Sequence, residues 1–186
     1  MRFRRNLERI GELLAYEVSK TLHYADGDIL SPLGVARMPV LQDQIVVSTV
    51  LRAGLPLHQG LLNYFDKAEN AFIASYRKVH KDGSFDIALE YFTSPSLTDK
   101  VVILSDVMIA SGASIESALE VILRTNQPKK IHIVGVIAVQ ESLDRLQRLY
   151  PKVDIWIAAI DNELTAKSYI VPGLGDAGDL AYGSKI

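Results

Sequence analysis

The sequence predicts an α/β fold: an open, mostly parallel twisted sheet flanked by helices, with a β-hairpin arm and a C-terminal Gly-rich hood. Three observations lead there. Apolar, β-branched runs recur at 45–51, 71–76, 100–105, 131–139 and 153–160. Amphipathic helical patterns stand between them, around 55–65, 113–125 and 141–150. Runs that are apolar on both faces suit strands covered on both sides, as helices over each face of a parallel sheet would cover them. Finally, 186 residues with 48% apolar content supply one core, so residues 1–186 read as a single domain.

Taken in order, the chain opens with Phe3, Leu7, Ile10, Leu14 and Val18 at three- and four-residue spacing, which predicts a helix over 2–22 with one buried face. Beyond Gly27, Pro32, Gly34 and Pro39 read as loop or short edge strand. The strand–helix alternation follows and is interrupted once. Residues 77–92 are polar and carry Lys81-Asp82-Gly83 as a turn, the pattern of a protruding hairpin able to cover a site or grip a second subunit. After Ile160 the pattern gives way to a Gly-rich tail over 160–186.

Composition narrows the function. Twenty basic against 22 acidic residues give a formal charge of −2, without the basic footprint that nucleic-acid binding needs. Apolar runs such as 134–139 fall far short of the ~20 residues that span a bilayer. Arg2, Arg4 and Arg5 follow Met1, but Glu8 and Glu12 interrupt any signal-peptide core, so a soluble cytoplasmic protein is expected. With no cysteine, thiol catalysis and iron–sulfur clusters are excluded. His23, His58, His80 and His132 lack zinc-like spacing, and no metal held directly by the protein is expected.

The chemistry concentrates in 101–114. A buried strand ends at Asp106, small residues follow, and a helix begins with Ile115, Ala118, Leu119 and Ile122 on one face. Ligands of open α/β sheets bind where strands end and helix amides are free. Small side chains at 110–114 let backbone wrap a phosphate, and the Ser111 and Ser114 hydroxyls add donors. Asp106 is placed to accept hydrogen bonds from ribose hydroxyls, so the segment reads as a sugar-phosphate site. The competing reading is a tight strand-to-helix turn capped by Asp106. The tail matches G-x-G-x-x-G from Gly173 to Gly178, but only eight residues remain after it, too few for the helix and second strand of a dinucleotide fold.

The 101–114 segment resembles the phosphoribosyl pyrophosphate (PRPP) motif of phosphoribosyltransferases. The tail, Ile160-Asp161-Asn162-Glu163-Leu164 and then Tyr169-Ile170-Val171-Pro172-Gly173-Leu174-Gly175-Asp176-Ala177-Gly178-Asp179, is similar to the terminal signature of uracil phosphoribosyltransferases. Leu51-Arg52-Ala53-Gly54-Leu55 and Tyr76-Arg77 agree in order and spacing, and the likeness runs from Leu13-Leu14-Ala15-Tyr16-Glu17 to the end. Departures are Ser111 for Thr, Ala113 for Gly, Val107 for Pro, and Pro56-Leu57-His58-Gln59-Gly60 in place of a loop bearing an acid. The hairpin shares little beyond Tyr91-Phe92, and the N-terminus begins later than is usual.

The resemblance implies a uracil phosphoribosyltransferase making UMP, with Mg2+ accompanying PRPP, a homodimer or larger assembly, and GTP as a candidate effector. It assigns PRPP to Arg52, Arg77, Asp106, Val107, Met108, Ile109, Ala110, Ser111, Gly112, Ala113, Ser114 and Asp176. Uracil falls to Ile170, Gly175, Asp176 and Ala177, largely through backbone atoms; Asp106, Arg77 and Asp176 carry catalysis. Alternatives are a nucleotide-binding regulator of the same fold, a homologue using a purine or orotate, and a weakened subunit of an oligomer.

Overall fold

The computed structural model describes residues 2–79 and 85–184, and side chains outside 75–90. After helix α1 (Arg2–Ser19), strands β1 (Tyr24–Ser31) and β2 (Gly34–Leu41) form a separate antiparallel ribbon. Then come β3 (Ile45–Leu51), α2 (Leu55–Tyr64), β4 (Glu69–Val79), β5 (Phe85–Thr93), β6 (Val101–Ile109), α3 (Ala113–Thr125), β7 (Lys130–Val139), α4 (Gln140–Leu149) and β8 (Asp154–Asp161). The tail adds β9 (Glu163–Leu164), β10 (Ile170–Val171) and α5 (Ala177–Tyr182).

The main sheet has the order β5-β4-β3-β6-β7-β8, parallel except for β5 against β4. Helices cover both faces. Ile115, Leu119, Ile122 and Leu146 of α3 and α4 build one core, and Leu7, Leu14, Val18, Leu57 and Leu61 of α1 and α2 build the other. On the second face α1 and α2 approach closely enough that a Cβ on Gly60 would stand 2.0 Å from the Glu8 carbonyl oxygen. Strand order reverses between β3 and β6, whose following helices lie on opposite faces, and a crevice opens at such a switch point.

Four expectations need correction. The first helix stops at Ser19, because the amides of Lys20, Thr21 and Leu22 bond three residues back and tighten the end, although Leu22 still packs into the core. Residues 24–41 form a hairpin of two eight-residue strands, not a loop or short edge strand. Water reaches both faces of this ribbon, so its sequence shows no clean alternation, and each strand keeps a free edge on which Pro39 is tolerated. The hairpin placed at 77–92 begins earlier, with Phe72 paired to Thr93, and makes β5 a true edge strand of the main sheet. Its Lys81-Asp82-Gly83 turn lies outside the described residues. Lastly, β6 does not end at Asp106. It pairs with β3 only as far as Ser105 but with β7 as far as Ile109, so Asp106 sits inside a strand whose β3-facing edge has come free.

Candidate active site

That free edge opens one wall of a cavity of about 160 Å³. Asp106, Met108 and Ala110 of β6 and its loop line it, Ala53 stands beside them, and Ser168, Tyr169, Gly175, Asp176, Ala177 and Gly178 form the opposite side. Val107 and Ile109 belong to the two apolar cores, so their side chains are packing residues and only their backbone can serve a ligand.

Burial pushes the Asp106 pKa up to about 7, and the backbone N–H groups of Met108 and Val107 nearby offset only part of that rise. Among the described residues it has no salt-bridge partner. A carboxylate in that state favours a proton or cation and can accept hydrogen bonds from a polyol.

Beyond Ala110 the chain turns into α3 through Gly112, whose φ of 79° is left-handed and suits a residue without Cβ. Ala113 is already helical, so Ala in place of the family's Gly costs nothing; the positive φ is Gly112's alone in this loop. No side chain caps α3 from its N-cap position; the Ala113 amide makes only a long 3.5 Å contact to Ser111 Oγ, which an anion can displace, while the Glu116 amide already bonds the Gly112 carbonyl at 2.9 Å.

Arg52, at the end of β3, turns its guanidinium toward the tail. Its Nη2 donates to the Gly183 carbonyl at 3.1 Å and lies 3.4 Å from the Asp179 carboxylate. Arg77 comes directly after the apolar run at 71–76 yet stays within β4, opposite Ile87, beyond the last β3–β4 pair at Leu51 and Ala74. Its side chain falls outside the described set.

The tail closes over the cavity in a defined way. β9 and β10 pair, the Gly173 amide donates to Asp161 Oδ2 at 2.8 Å, and Gly175 takes a φ of 77°. Asp176 then caps α5 by accepting the Asp179 amide at 2.9 Å, and Arg4 of α1 donates to the Ala181 carbonyl at 3.0 Å. Ile170 does not join the lining; it is 3% exposed and packs on Ile137 and Val139, while its neighbour Tyr169 reaches the cavity.

Sequence reasoning missed Ala53, Ser168, Tyr169, Gly178 and the helix α5. Asp176 followed three residues later by Asp179 was a capping signal available in the tail. His58, in the 56–60 segment that departs from the family pattern and that the structure forms as part of α2, is buried with Nε2 2.7 Å from Asn70 Oδ1, tying α2 to β4 away from the cavity. Burial lowers its pKa, so it holds this contact neutral.

The family model described as uracil phosphoribosyltransferase matches residues 1–184. The uracil phosphoribosyltransferase of Porphyromonas gingivalis strain W83 is 52% identical over 100% of this chain and 87% of its own length. A solved Aquifex aeolicus protein superposes with a TM-score of 0.90 at 32% identity, over 98% of this chain and 86% of that one. A hypoxanthine phosphoribosyltransferase of Staphylococcus aureus superposes at 0.58 with 12% identity, over 87% and 76%, a likeness of fold alone.

Proposed function

The chain belongs to the uracil phosphoribosyltransferase family, and from that membership we propose how its cavity works. The enzyme joins uracil to PRPP and releases UMP and pyrophosphate. A uracil ring nitrogen forms a bond to the anomeric carbon as the bond to pyrophosphate breaks, and that nitrogen gives up its proton. Positive charge develops on the ribose during the exchange, so alignment and electrostatics carry most of the barrier reduction.

The observation that carries the reading is the cavity itself, with the free edge of β6 on one side and residues 175–177 on the other; the loop 111–114 and α3 follow directly on Ala110 of its lining. The amides and hydroxyls of Ser111, Gly112, Ala113 and Ser114 hold the 5′-phosphate. Asp106 accepts from the ribose hydroxyls, and Val107, Met108, Ile109 and Ala110 present backbone along the sugar. Arg52 and Arg77 grip pyrophosphate with planar guanidinium forks. Gly175, Asp176 and Ala177 read the pyrimidine edge, where a base with the wrong donors leaves buried groups unpaired. Ile170 anchors this roof from the apolar cluster beneath it. Asp176 faces the ribose as well as capping α5.

Family members use PRPP with a divalent metal, and we assign Mg2+. Its fit rests on Asp106 and Asp176, two carboxylates lining one small cavity, the first held at an unfavourable pKa by burial. Among the described residues no cluster of three His, Asp or Glu forms a cage, which suits a hard cation taking most of its oxygens from substrate and water. When bound, Mg2+ neutralises the leaving pyrophosphate.

Among the described residues no helix is long and apolar enough to cross a membrane. A cysteine-free chain acting on a phosphorylated sugar fits the cytoplasm. We assign a homodimer or larger assembly, supported by Leu30, Leu33, Val35 and Met38, apolar side chains exposed on the β1–β2 ribbon. Sedimentation reads that state, and GTP added to the assay reads activation.

The deciding assay mixes protein, Mg2+ and PRPP with uracil, hypoxanthine, adenine or orotate and measures each nucleotide. UMP from uracil alone is expected. A nucleotide from another base at a higher rate, or none from any, overturns the reading.

A further inference from the structure

We propose that Ser142 of α4 is a positioning residue for the phosphate loop, an inference that rests on the 5′-phosphate assignment above. Ser142 is 5% exposed and sits in the first turn of α4, a helix without a side-chain cap. Its hydroxyl does not serve its own helix. It donates to the carbonyl of Ala110, 32 residues earlier in the chain, at the point where β6 gives way to the loop.

That contact fixes more than a carbonyl. The Ala110–Ser111 peptide is trans, so its N–H points opposite to its C=O. With the carbonyl held against α4, the Ser111 amide is aimed away from α4, and Ala110 itself lines the cavity. Freed of the hydroxyl, this peptide could rotate and present its oxygen, an acceptor, where a phosphate needs a donor.

Two further residues on the same face of α4 support the loop. Leu146 Cδ1 lies 3.6 Å from where a Cβ on Gly112 would stand, backing the left-handed residue. Arg145 pairs with Glu116 in the first turn of α3, where an uncompensated carboxylate would oppose an incoming anion. Positions 142, 145 and 146 follow the i, i+3, i+4 spacing of one helix face, so α4 braces the loop at its start, its turn and its helix. The uracil roof is built from other elements, β9, β10 and α5.

The test is steady-state kinetics of Ser142→Ala with each substrate varied in turn, alongside calorimetric binding of ribose 5-phosphate. Losing one neutral hydrogen bond to a functional peptide should raise the KM for PRPP and weaken ribose 5-phosphate binding by roughly three- to tenfold, with the uracil KM unchanged. A packing defect would instead lower kcat through the active fraction and leave both KM values alone. Equal PRPP KM and ribose 5-phosphate affinity in variant and parent overturn the inference, as does a parallel rise in the uracil KM. Should the alanine variant not fold, Ser142→Cys, similar in shape but a weak donor, carries the same comparison. Failure of the parent protein to form UMP would sink the functional reading; an active parent with an indifferent Ser142→Ala sinks only this inference.

Discussion

Replacing Asp106 with Asn should make the protein more stable above neutral pH while disabling it. An ordinary aspartate titrates near 3.8, and burial pushes the folded-state value of Asp106 up to about 7. Since the folded value lies above the unfolded one, proton binding favours the fold. The stability so gained is complete below about pH 4 and is lost as pH rises through 7. At about 1.36 kcal/mol per unit, the loss between pH 5 and pH 8 is bounded at about 2–3 kcal/mol. Asn cannot ionise and keeps nearly the same shape. Urea unfolding of both proteins at pH 5 and pH 8 isolates the effect, because every other titrating group is common to the pair. Wild type should lose about 2–3 kcal/mol more than Asp106→Asn across that interval. Identical losses would refute a buried, unpaired carboxylate at this position. In the same variant kcat/KM for PRPP should fall roughly tenfold to a hundredfold, the cost of a charged acceptor lost from the ribose.

The pH profile of kcat/KM for PRPP should rise through about 7 and level above it, as Asp106 ionises; a profile already flat from pH 5.5 upward contradicts that. Gly60→Ala places a Cβ 2.0 Å from the Glu8 carbonyl, so α1 must shift off α2, and thermal unfolding should report a loss of about 1–3 kcal/mol. Arg4→Ala removes the donor to Ala181 and the cation over the Tyr182 ring, loosening α5; the uracil KM should rise severalfold at constant PRPP KM, and an unchanged uracil KM would count against a roof held from α1. Arg77→Ala and Asp176→Asn should each cut turnover by about tenfold or more with the fold retained by circular dichroism; near-normal turnover in both removes them from the site.

The sheet was legible because its strands are buried on both faces, leaving apolar runs such as 45–51 that coincide with β3. Helix α3 over 113–125 was legible through its 3.6-residue period, and the turn that precedes it through small residues following an acid. The β1–β2 ribbon was not, because a two-stranded hairpin wet on both faces imposes no period on its side chains. Helix α5 was hidden by its brevity and flanking glycines.

Sequence alone determined the family, since strand burial, glycine placement and the tail motif are local constraints written residue by residue. Tertiary structure alone decided that β6 outruns β3 and leaves the β3-facing edge free at Asp106 within a strand, that Val107 and Ile109 face the cores, and that Ser142 reaches back to Ala110. Those features depend on register and on contacts between segments tens of residues apart, and no local pattern encodes which neighbour a strand edge or a buried hydroxyl will meet.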